Sequence, residues 1–301
     1  MSADDQPGPT GVASAAVPET SLIVSTLGRA EEIPRLLRSL AAQQGATLEL
    51  IVVDQNDDQA IVAAALAGDW GFEIVHLHRP GMRGLSRGRN AGLASARAPV
   101  LGFPDDDCWY PPDFLARGLG LMRQHGADFV CGRAAAEDGR SINGRYETVA
   151  QAITQANVFT TGIEWAQLMR RDLVDALGGY DENIGIGASS PWQSAEGQDM
   201  MLRLLGAGGK GWFEPTWYGH HAELDISTPD DVMIRKMRGY ARGLGHVLRK
   251  HRSGPLTISK WLARSAGGAM VAALRGRVAA ARMYANILLG RTEGLLGRTF
   301  D

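Results

Sequence analysis

Short apolar runs rich in β-branched residues alternate with helical patterns over the first hundred residues, and this alternation constrains the fold most. Residues 31–42 place apolar side chains at helical spacing, whereas residues 48–54 form a nearly unbroken strand pattern that ends in an acid. Strands that alternate with helices need right-handed crossovers, which produce parallel strand pairs. We therefore expect an α/β protein with a mainly parallel central sheet and helices on both faces. The expected strands are 21–26, 48–54, 72–77 and 100–103, and the expected helices are 31–42, 61–66 and the end of 84–98, a Gly- and Arg-rich loop that runs into a helix.

Polar side chains follow three of these expected strands. Thr26 ends the first strand, Asp54 ends the second, and residues 105–107, three consecutive aspartates, follow the fourth. In open parallel sheets, ligands bind outside the carboxyl ends of the strands. We therefore expect one pocket to collect these side chains.

The three aspartates are unfavourable neighbours unless something neutralises their charge. Pro104, Pro111 and Pro112 place them in a loop. Carboxylates this close repel one another, and Mg²⁺ and Mn²⁺ prefer oxygen ligands, so we interpret the stretch as a metal site. A solvated acidic turn is the alternative. Because the chain has neither a Gly-x-Gly-x-x-Gly after the first strand nor a Walker motif, a metal that bridges the acids to a diphosphate is the remaining way to hold a nucleotide.

Two further groups of chemically active residues occur in the second half of the chain. Glu196 and Asp199 are three apart at the start of an expected helix, so they lie on one side of it. They are candidate general bases, and complementing the helix dipole is their alternative role. His220 and His221 end a strand-like run and are candidate metal ligands, with a purely structural role as the alternative.

Charge is divided unequally along the chain. The net charge is −2, yet residues 232–301 contain 14 Lys and Arg against 2 acids, which leaves 17 basic and 31 acidic residues before them. Such a basic region favours an anionic partner.

Residues 261–289 interleave arginines with apolar side chains and contain no uncharged apolar stretch of about 18 residues. We therefore predict amphipathic helices on an anionic membrane surface rather than a membrane span. The alternative is a helical subdomain packed on the rest, and nucleic acid is not an expected partner because no nucleic-acid module accompanies the charge.

These patterns divide the chain into three parts. Residues 1–19 are acidic and rich in Pro and Gly, which predicts a disordered tail. We expect residues 20–228 to form the α/β domain and residues 229–301 to form the helical membrane-associating region. The N-terminal residues do not have the pattern of a signal peptide, and two cysteines make no disulfide framework. We therefore expect a cytoplasmic protein that is peripheral on the inner face of the cell membrane.

Seven pieces of the sequence, in order, resemble the family 2 inverting glycosyltransferases of the GT-A fold, and most of all the bacterial branch that builds capsular and extracellular polysaccharides. The pieces are Thr26 with Arg29, Asp54, residues 85–92, residues 103–107, residues 178–182, the acid pair before Arg203, and His220 with His221. The resemblance implies a metal-dependent, inverting transfer of a sugar from a nucleotide-diphosphate sugar to a lipid-linked saccharide acceptor. Among donors it favours UDP-sugars over GDP- or dTDP-sugars. A nucleotidyltransferase and a non-catalytic sugar-nucleotide binding or scaffold protein are the alternatives.

The resemblance also implies a role for each matched residue. Donor-binding roles belong to Thr26, Arg29, Asp54, Arg87, Arg89, Asn90, Asp105 and Asp106. The ligands of Mn²⁺ or Mg²⁺ are Asp106, Asp107, His220 and His221. Two registers of the triplet stay open, because spacing favours Asp105 with Asp107 and alignment on Trp109 favours Asp106 with Asp107. The base is Glu196 or Asp199, since the family's Glu-Asp-x-Asp is Glu-Gly-Gln-Asp here, with Gly197 in place of the first aspartate.

Overall fold

The computed structural model describes residues 16–29 and 31–300 of the chain. The strands are β1 (Thr20–Thr26), β2 (Leu48–Asp54), β3 (Glu73–His78), β4 (Val100–Gly102), β5 (Phe129–Ala135), β6 (Gln151–Ile153), β7 (Gln167–Arg170) and β8 (Gly211–His220). The helices are α1 (Ile33–Ala41), α2 (Ala60–Leu66), α3 (Leu85–Leu93), α4 (Phe114–His125), α5 (Arg171–Ala176), α6 (Glu196–Gly206), α7 (Asp231–Lys250), α8 (Pro255–Leu274) and α9 (Val278–Leu296). Most of the predicted N-terminal tail, residues 1–15, lies outside the described residues.

All eight strands belong to one sheet, in the order β3-β2-β1-β4-β7-β5-β8-β6. The first four strands are mutually parallel, and β5 pairs with β8 in parallel as well. Strand β7 is antiparallel to both of its neighbours, and β6 is an antiparallel edge strand on β8. The expected α/β class with a mainly parallel sheet is confirmed.

Both faces of the sheet are covered, as the apolar strand patterns require. In β1, Leu22 and Val24 pack into one apolar cluster with helices α1 and α4, whereas Ile23 packs into a second cluster on the opposite face with α6. Successive side chains of a strand point to opposite faces, so a strand buried on both sides is apolar at almost every position. This covering leaves the carboxyl ends of the strands as the edge at which polar side chains collect.

The basic C-terminal region forms three helices, of which α7 and α9 pack most closely. Gly294 makes this approach possible, because a Cβ atom there would lie 2.2 Å from the carbonyl oxygen of Arg242. Buried Glu293 accepts hydrogen bonds from Arg238 and Arg242 across the same interface. Among the described residues, the helices are either too short or too polar to cross a membrane. The division at residues 228 and 229 stays a prediction.

Candidate active site

The aspartate triplet lies where the chain leaves β4, and it joins the ends of two strands. Asp106 is buried and accepts a hydrogen bond of 2.8 Å from the hydroxyl of Thr26, at the end of β1. Arg29 pairs with Asp106 at 3.5 Å and also with Asp107. Burial raises the pKa of Asp106 to about 7, although the hydrogen bond from Thr26 and the charge of Arg29 act to lower it. The triplet is therefore packed against the end of β1 and the residues that follow it, and is not a solvated turn.

Asp107 has an environment opposite to that of Asp106. Its Oδ1 lies 2.9 Å from Nε2 of His221, and its Oδ2 pairs with Arg29. Burial opposes ionisation, but the hydrogen bond and charge of His221, together with Arg29, hold the pKa of Asp107 at about 2. Asp107 therefore stays ionised near neutral pH and is a ready oxygen ligand for a cation.

Asp105, Asp107 and His221 form the group that is best suited to a metal ion. One ligand atom from each of the three side chains lies within 4.8 Å of the other two. Two carboxylate oxygens and an imidazole nitrogen suit Mn²⁺, and Mg²⁺ accepts the same oxygens. Burial raises the pKa of Asp105 to about 6 while the charge of Arg89 lowers it, so a second cation at this position would favour the ionised form.

Two other predicted metal ligands point elsewhere. Asp106 faces Thr26, as described above. His220 stacks on the ring of Trp109, with 5.6 Å between ring centroids, and its Nδ1 lies 3.1 Å from the carbonyl oxygen of Ala135. The structure thus brings Asp107 and His221 together with Asp105, and it does not bring His220 into the group.

Asp54 lies beside Thr26 in the register of β1 and β2, as the sequence predicts. Its carboxylate is fully buried, 3.1 Å from Nε2 of His76, and accepts two hydrogen bonds from Asn56. The amide oxygen of Asn56 in turn accepts a hydrogen bond of 2.7 Å from the backbone N–H of Gly28. Asp54 therefore orders the two loops that follow β1 and β2, next to the aspartate triplet.

The segment 84–98 begins as helix rather than as the expected loop, because α3 starts at Leu85. Residues two apart on a helix face different directions. Arg87 therefore points outward to Glu182, with 3.2 Å between Nε and Oε2, whereas Arg89 points inward and is fully buried. Asn90 accepts a hydrogen bond from the backbone N–H of Tyr180 and donates one to its carbonyl, which holds the 178–182 loop on α3.

Arg89 is the buried cation around which three carboxylates converge. Its guanidinium nitrogens lie 2.5 Å from Glu164, 3.1 Å from Asp105 and 3.9 Å from Glu196. Burial works against the charged form, but these carboxylates raise the pKa of Arg89 above its ordinary value. No local motif marks Glu164 in the sequence. It precedes β7, and the pairing of β7 with β4 brings it to the same sheet edge as Asp105.

The two candidate bases have opposite environments. Glu196 is buried, and its Oε2 has no hydrogen-bond partner among the residues that the structure describes. Burial, followed by the charge of Glu164, raises the pKa of Glu196 well above its ordinary range. In its ionised form, a carboxylate of this kind has a higher affinity for a proton than an ordinary glutamate, which suits a general base.

Asp199 is instead bound to three basic side chains. Its oxygens lie 3.0 Å from Arg203, 2.7 Å from Lys250 and 2.7 Å from His251. Although burial opposes ionisation, these contacts hold the pKa of Asp199 at about 2. A carboxylate this acidic is a poor general base, and its contacts join α6 to the end of α7. The sequence pattern carries no signal for this connection, because Lys250 and His251 lie some fifty residues further along the chain.

Comparison with known proteins points to one family. The family model "Glycosyl transferase family 2" matches residues 21–178. An uncharacterised glycosyltransferase of Haemophilus influenzae is 25% identical over 194 residues, which span 62% of this chain and 61% of that protein. The succinoglycan biosynthesis protein ExoO of Rhizobium meliloti is 26% identical over 294 residues, which span 86% of this chain and 82% of that protein.

Solved structures share the fold. The mannosyltransferase PcManGT of Pyrobaculum calidifontis, in complex with GDP-Man and Mn²⁺, superimposes with a TM-score of 0.66 at 17% identity, over 96% of this chain and 91% of that one. S. aureus TarS in complex with UDP superimposes with a TM-score of 0.54 at 20% identity, over 94% of this chain and 93% of that one. The GT-A fold expected from the sequence is therefore confirmed.

Proposed function

Because the chain belongs to glycosyl transferase family 2, we propose that it is a metal-dependent, inverting glycosyltransferase of surface polysaccharide synthesis. The observation that carries this proposal is the close spacing of a three-ligand group, Asp105, Asp107 and His221, and the buried carboxylate of Glu196, with Arg89 between them. One end of the pocket suits a cation with a diphosphate, and the other suits a hydroxyl that must lose its proton.

The donor is a nucleotide-diphosphate sugar in this proposal. The nucleotide occupies the ends of β1 and β2, where Thr26, Arg29 and Asp54 lie, because ligands of open α/β sheets bind at this edge. PcManGT with GDP-Man and TarS with UDP support a nucleotide donor without deciding the base. UDP-sugars come first in the panel to be screened, followed by GDP- and dTDP-sugars.

Asp105, Asp107 and His221 would hold Mn²⁺ or Mg²⁺, and the bound ion would supply positive charge to the departing diphosphate. Asp106 stays with Thr26 and Arg29, and so fixes the loop that carries the two ligands. Mn²⁺ in the PcManGT complex supports this choice of cation.

Glu196 takes the proton of the acceptor hydroxyl. The hydroxyl oxygen bonds to the anomeric carbon as the bond from that carbon to the diphosphate oxygen breaks, and the electron pair leaves with the diphosphate. The proton ends on Glu196, and one displacement inverts the anomeric configuration. The buried Oε2 of Glu196, which has no hydrogen-bond partner in the described part of the chain, supports this role for Glu196. The basic partners of Asp199 argue against the same role for Asp199.

The acceptor is a lipid-linked saccharide in this proposal. A cavity of about 990 Å³ lies between residues 223–227 and the helices α8 and α9. Its lining combines apolar side chains with five arginines and two acids, namely Arg145, Arg264, Arg275, Arg277, Arg291, Glu223 and Asp225, so basic side chains outnumber acidic ones. Burial, and then the charge of Arg264, lowers the pKa of Arg291 to about 10. An anionic group in the cavity relieves this repulsion, which is why we assign the charged part of the acceptor to it.

The turn between α8 and α9 is the part of the surface that we propose to lie on the membrane. Leu274 is 81% exposed and Val278 is 69% exposed, and Arg275 and Arg277 lie between them. Apolar side chains next to arginines suit an anionic interface. Replacing Leu274 and Val278 together by aspartate should abolish flotation with anionic liposomes. The matched control is Val149→Asp, at a similarly exposed valine on another part of the surface.

The decisive test of activity uses the full chain with Mn²⁺, a panel of nucleotide sugars and a membrane extract as the acceptor source. We expect nucleotide diphosphate release and sugar transfer that stop with chelator, and a product whose anomeric configuration is opposite to that of the donor. Glu73→Gln, at an exposed glutamate that pairs with Arg97, is the control for removing a glutamate charge. Transfer that persists at full rate in chelator would contradict metal dependence, and no transfer with any donor would favour a binding protein.

A further inference from the structure

Glu164 lies beside Arg89, Asp105 and Glu196, although it is far in sequence from the aspartates and from α6. It opens a single 3-10 turn, Glu164–Ala166, directly before β7. A hydrogen bond of 2.6 Å, which the hydroxyl of Tyr110 donates to the carbonyl of Trp165, stabilises this turn. The side chain of Glu164 is 13% exposed and its Oε1 lies 2.5 Å from NH1 of Arg89. A rigid turn thus aims a nearly buried carboxylate at the central cation.

Gly197, in the first turn of α6, faces the side chain of Glu164. A Cβ atom on Gly197 would lie 2.9 Å from both Cδ and Cγ of Glu164 and 3.0 Å from its Cβ. The backbone of Gly197 is not in the left-handed region, and glycine is one of the poorest helix formers. The helix itself therefore does not require a glycine at position 197. The side chain of Glu164 does, because it occupies the space that a larger residue would need.

Glu164 and Glu196 compete for the same nitrogen of Arg89. Glu164 lies 2.5 Å from NH1, and Glu196 lies 3.9 Å from the same atom. If Glu164 lost its charge, Arg89 would move toward Glu196 and form a close ion pair with it. A base that is paired in this way loses its affinity for a proton.

We propose that Glu164 is a positioning residue of the active site, which holds Arg89 away from Glu196 and fills the space that a side chain at position 197 would need. This inference rests on the proposed role of Glu196 as the base. The same role accounts for the carboxylate that precedes β7 and for Gly197, which follows Glu196 in the first turn of α6.

The shared space is tested by thermal unfolding of the full chain without metal. Gly197→Ala should lower the melting temperature by about 2 to 6 °C, because it overpacks a buried site. In a Glu164→Ala background the same change should leave the melting temperature unchanged or raise it, since alanine favours the helix. Equal effects of Gly197→Ala in both backgrounds would overturn the pairing of these two positions.

The positioning role is tested by steady-state kinetics. Glu164→Gln keeps the shape of the side chain, so at a temperature at which the variant is folded we expect an unchanged donor KM, with kcat reduced by about 10- to 100-fold. Glu164→Ala with Gly197→Asp returns a carboxylate to the same space from α6, and should regain about tenfold over Glu164→Ala alone. Glu73→Gln is again the control.

The outcomes separate this inference from the function on which it rests. If Glu196→Gln is inactive while Glu164→Gln keeps near wild-type kcat, the positioning role is wrong and the base assignment stands. If Glu196→Gln keeps its activity, the proposed base is wrong, and the positioning role falls with it. The unfolding series still decides whether Glu164 and Gly197 share one space.

Discussion

Replacing Asp199 with asparagine and, separately, Glu196 with glutamine distinguishes an acid that stabilises the fold from an acid that performs the chemistry. The two residues are three apart in one helix. Asp199 contacts Arg203, Lys250 and His251, whereas the buried Oε2 of Glu196 has no hydrogen-bond partner within residues 16–29 and 31–300. We expect Asp199→Asn to lose stability and keep its turnover, and Glu196→Gln to keep its stability and lose its turnover.

The size of the stability change follows from the pKa of Asp199. Despite burial, its basic partners hold that pKa at about 2 in the folded protein, against an ordinary value of 3.8. The difference corresponds to about 2 to 3 kcal/mol of unfolding free energy at neutral pH. Because the pKa is lowered on folding, this contribution is complete above about pH 4 and is lost as the pH falls toward 2, with about half remaining at pH 3.

Urea unfolding at pH 7 and at pH 3 measures this effect directly. We expect Asp199→Asn to be less stable than the wild type by about 2 to 3 kcal/mol at pH 7, and the difference to shrink by about half at pH 3. Glu196→Gln should be at least as stable as the wild type at pH 7, because burial and Glu164 already disfavour the ionised form of Glu196.

Turnover is measured on the same samples, at a temperature at which all variants are folded. We expect Asp199→Asn to stay within about threefold of the wild-type kcat and Glu196→Gln to fall by about 100- to 10,000-fold. A folded Asp199→Asn variant as inactive as Glu196→Gln would refute the distinction. An unchanged unfolding free energy in Asp199→Asn would refute the structural role of its basic partners.

Two further predictions concern the metal site and the C-terminal helices. Mn²⁺ should raise the melting temperature of the wild type and of His220→Ala but not of His221→Ala, because only His221 lies in the three-ligand group; equal shifts in both variants would contradict this assignment. Gly294→Ala should lower the melting temperature by several degrees, because its Cβ would lie 2.2 Å from the carbonyl oxygen of Arg242, and a melting temperature equal to that of the wild type would show that α7 and α9 do not pack this closely.

Local patterns were sufficient for most of the sheet. The strand expected at residues 48–54 is β2 with the same bounds, and the strand expected at 72–77 is β3, displaced by a single residue. The helix expected at 31–42 is α1, with its apolar positions buried. These elements were predictable because each of them buries a periodic apolar pattern, and the period depends only on neighbours in sequence.

The segment 84–98 and the pair of Glu196 and Asp199 show where local patterns stop being informative. Glycines and arginines suggested a loop at 84–98, but burial against β1 and β2 makes its first half a helix, and this helix sends Arg89 inward. Spacing put Glu196 and Asp199 on one side of a helix, and nothing in that spacing distinguishes a base from an ion-pair partner.

Residue patterns alone were enough to predict the fold class, the edge of the sheet at which polar side chains gather, and the family. Local patterns could not show which of Asp105, Asp106 and Asp107 lie with His221, that Asp199 rather than Glu196 contacts three basic side chains, or that Glu164 lies beside them. The reason is physical: strand and helix patterns follow from short-range periodicity, whereas the affinity of a carboxylate for protons or metal depends on burial and on charges that distant segments bring to it.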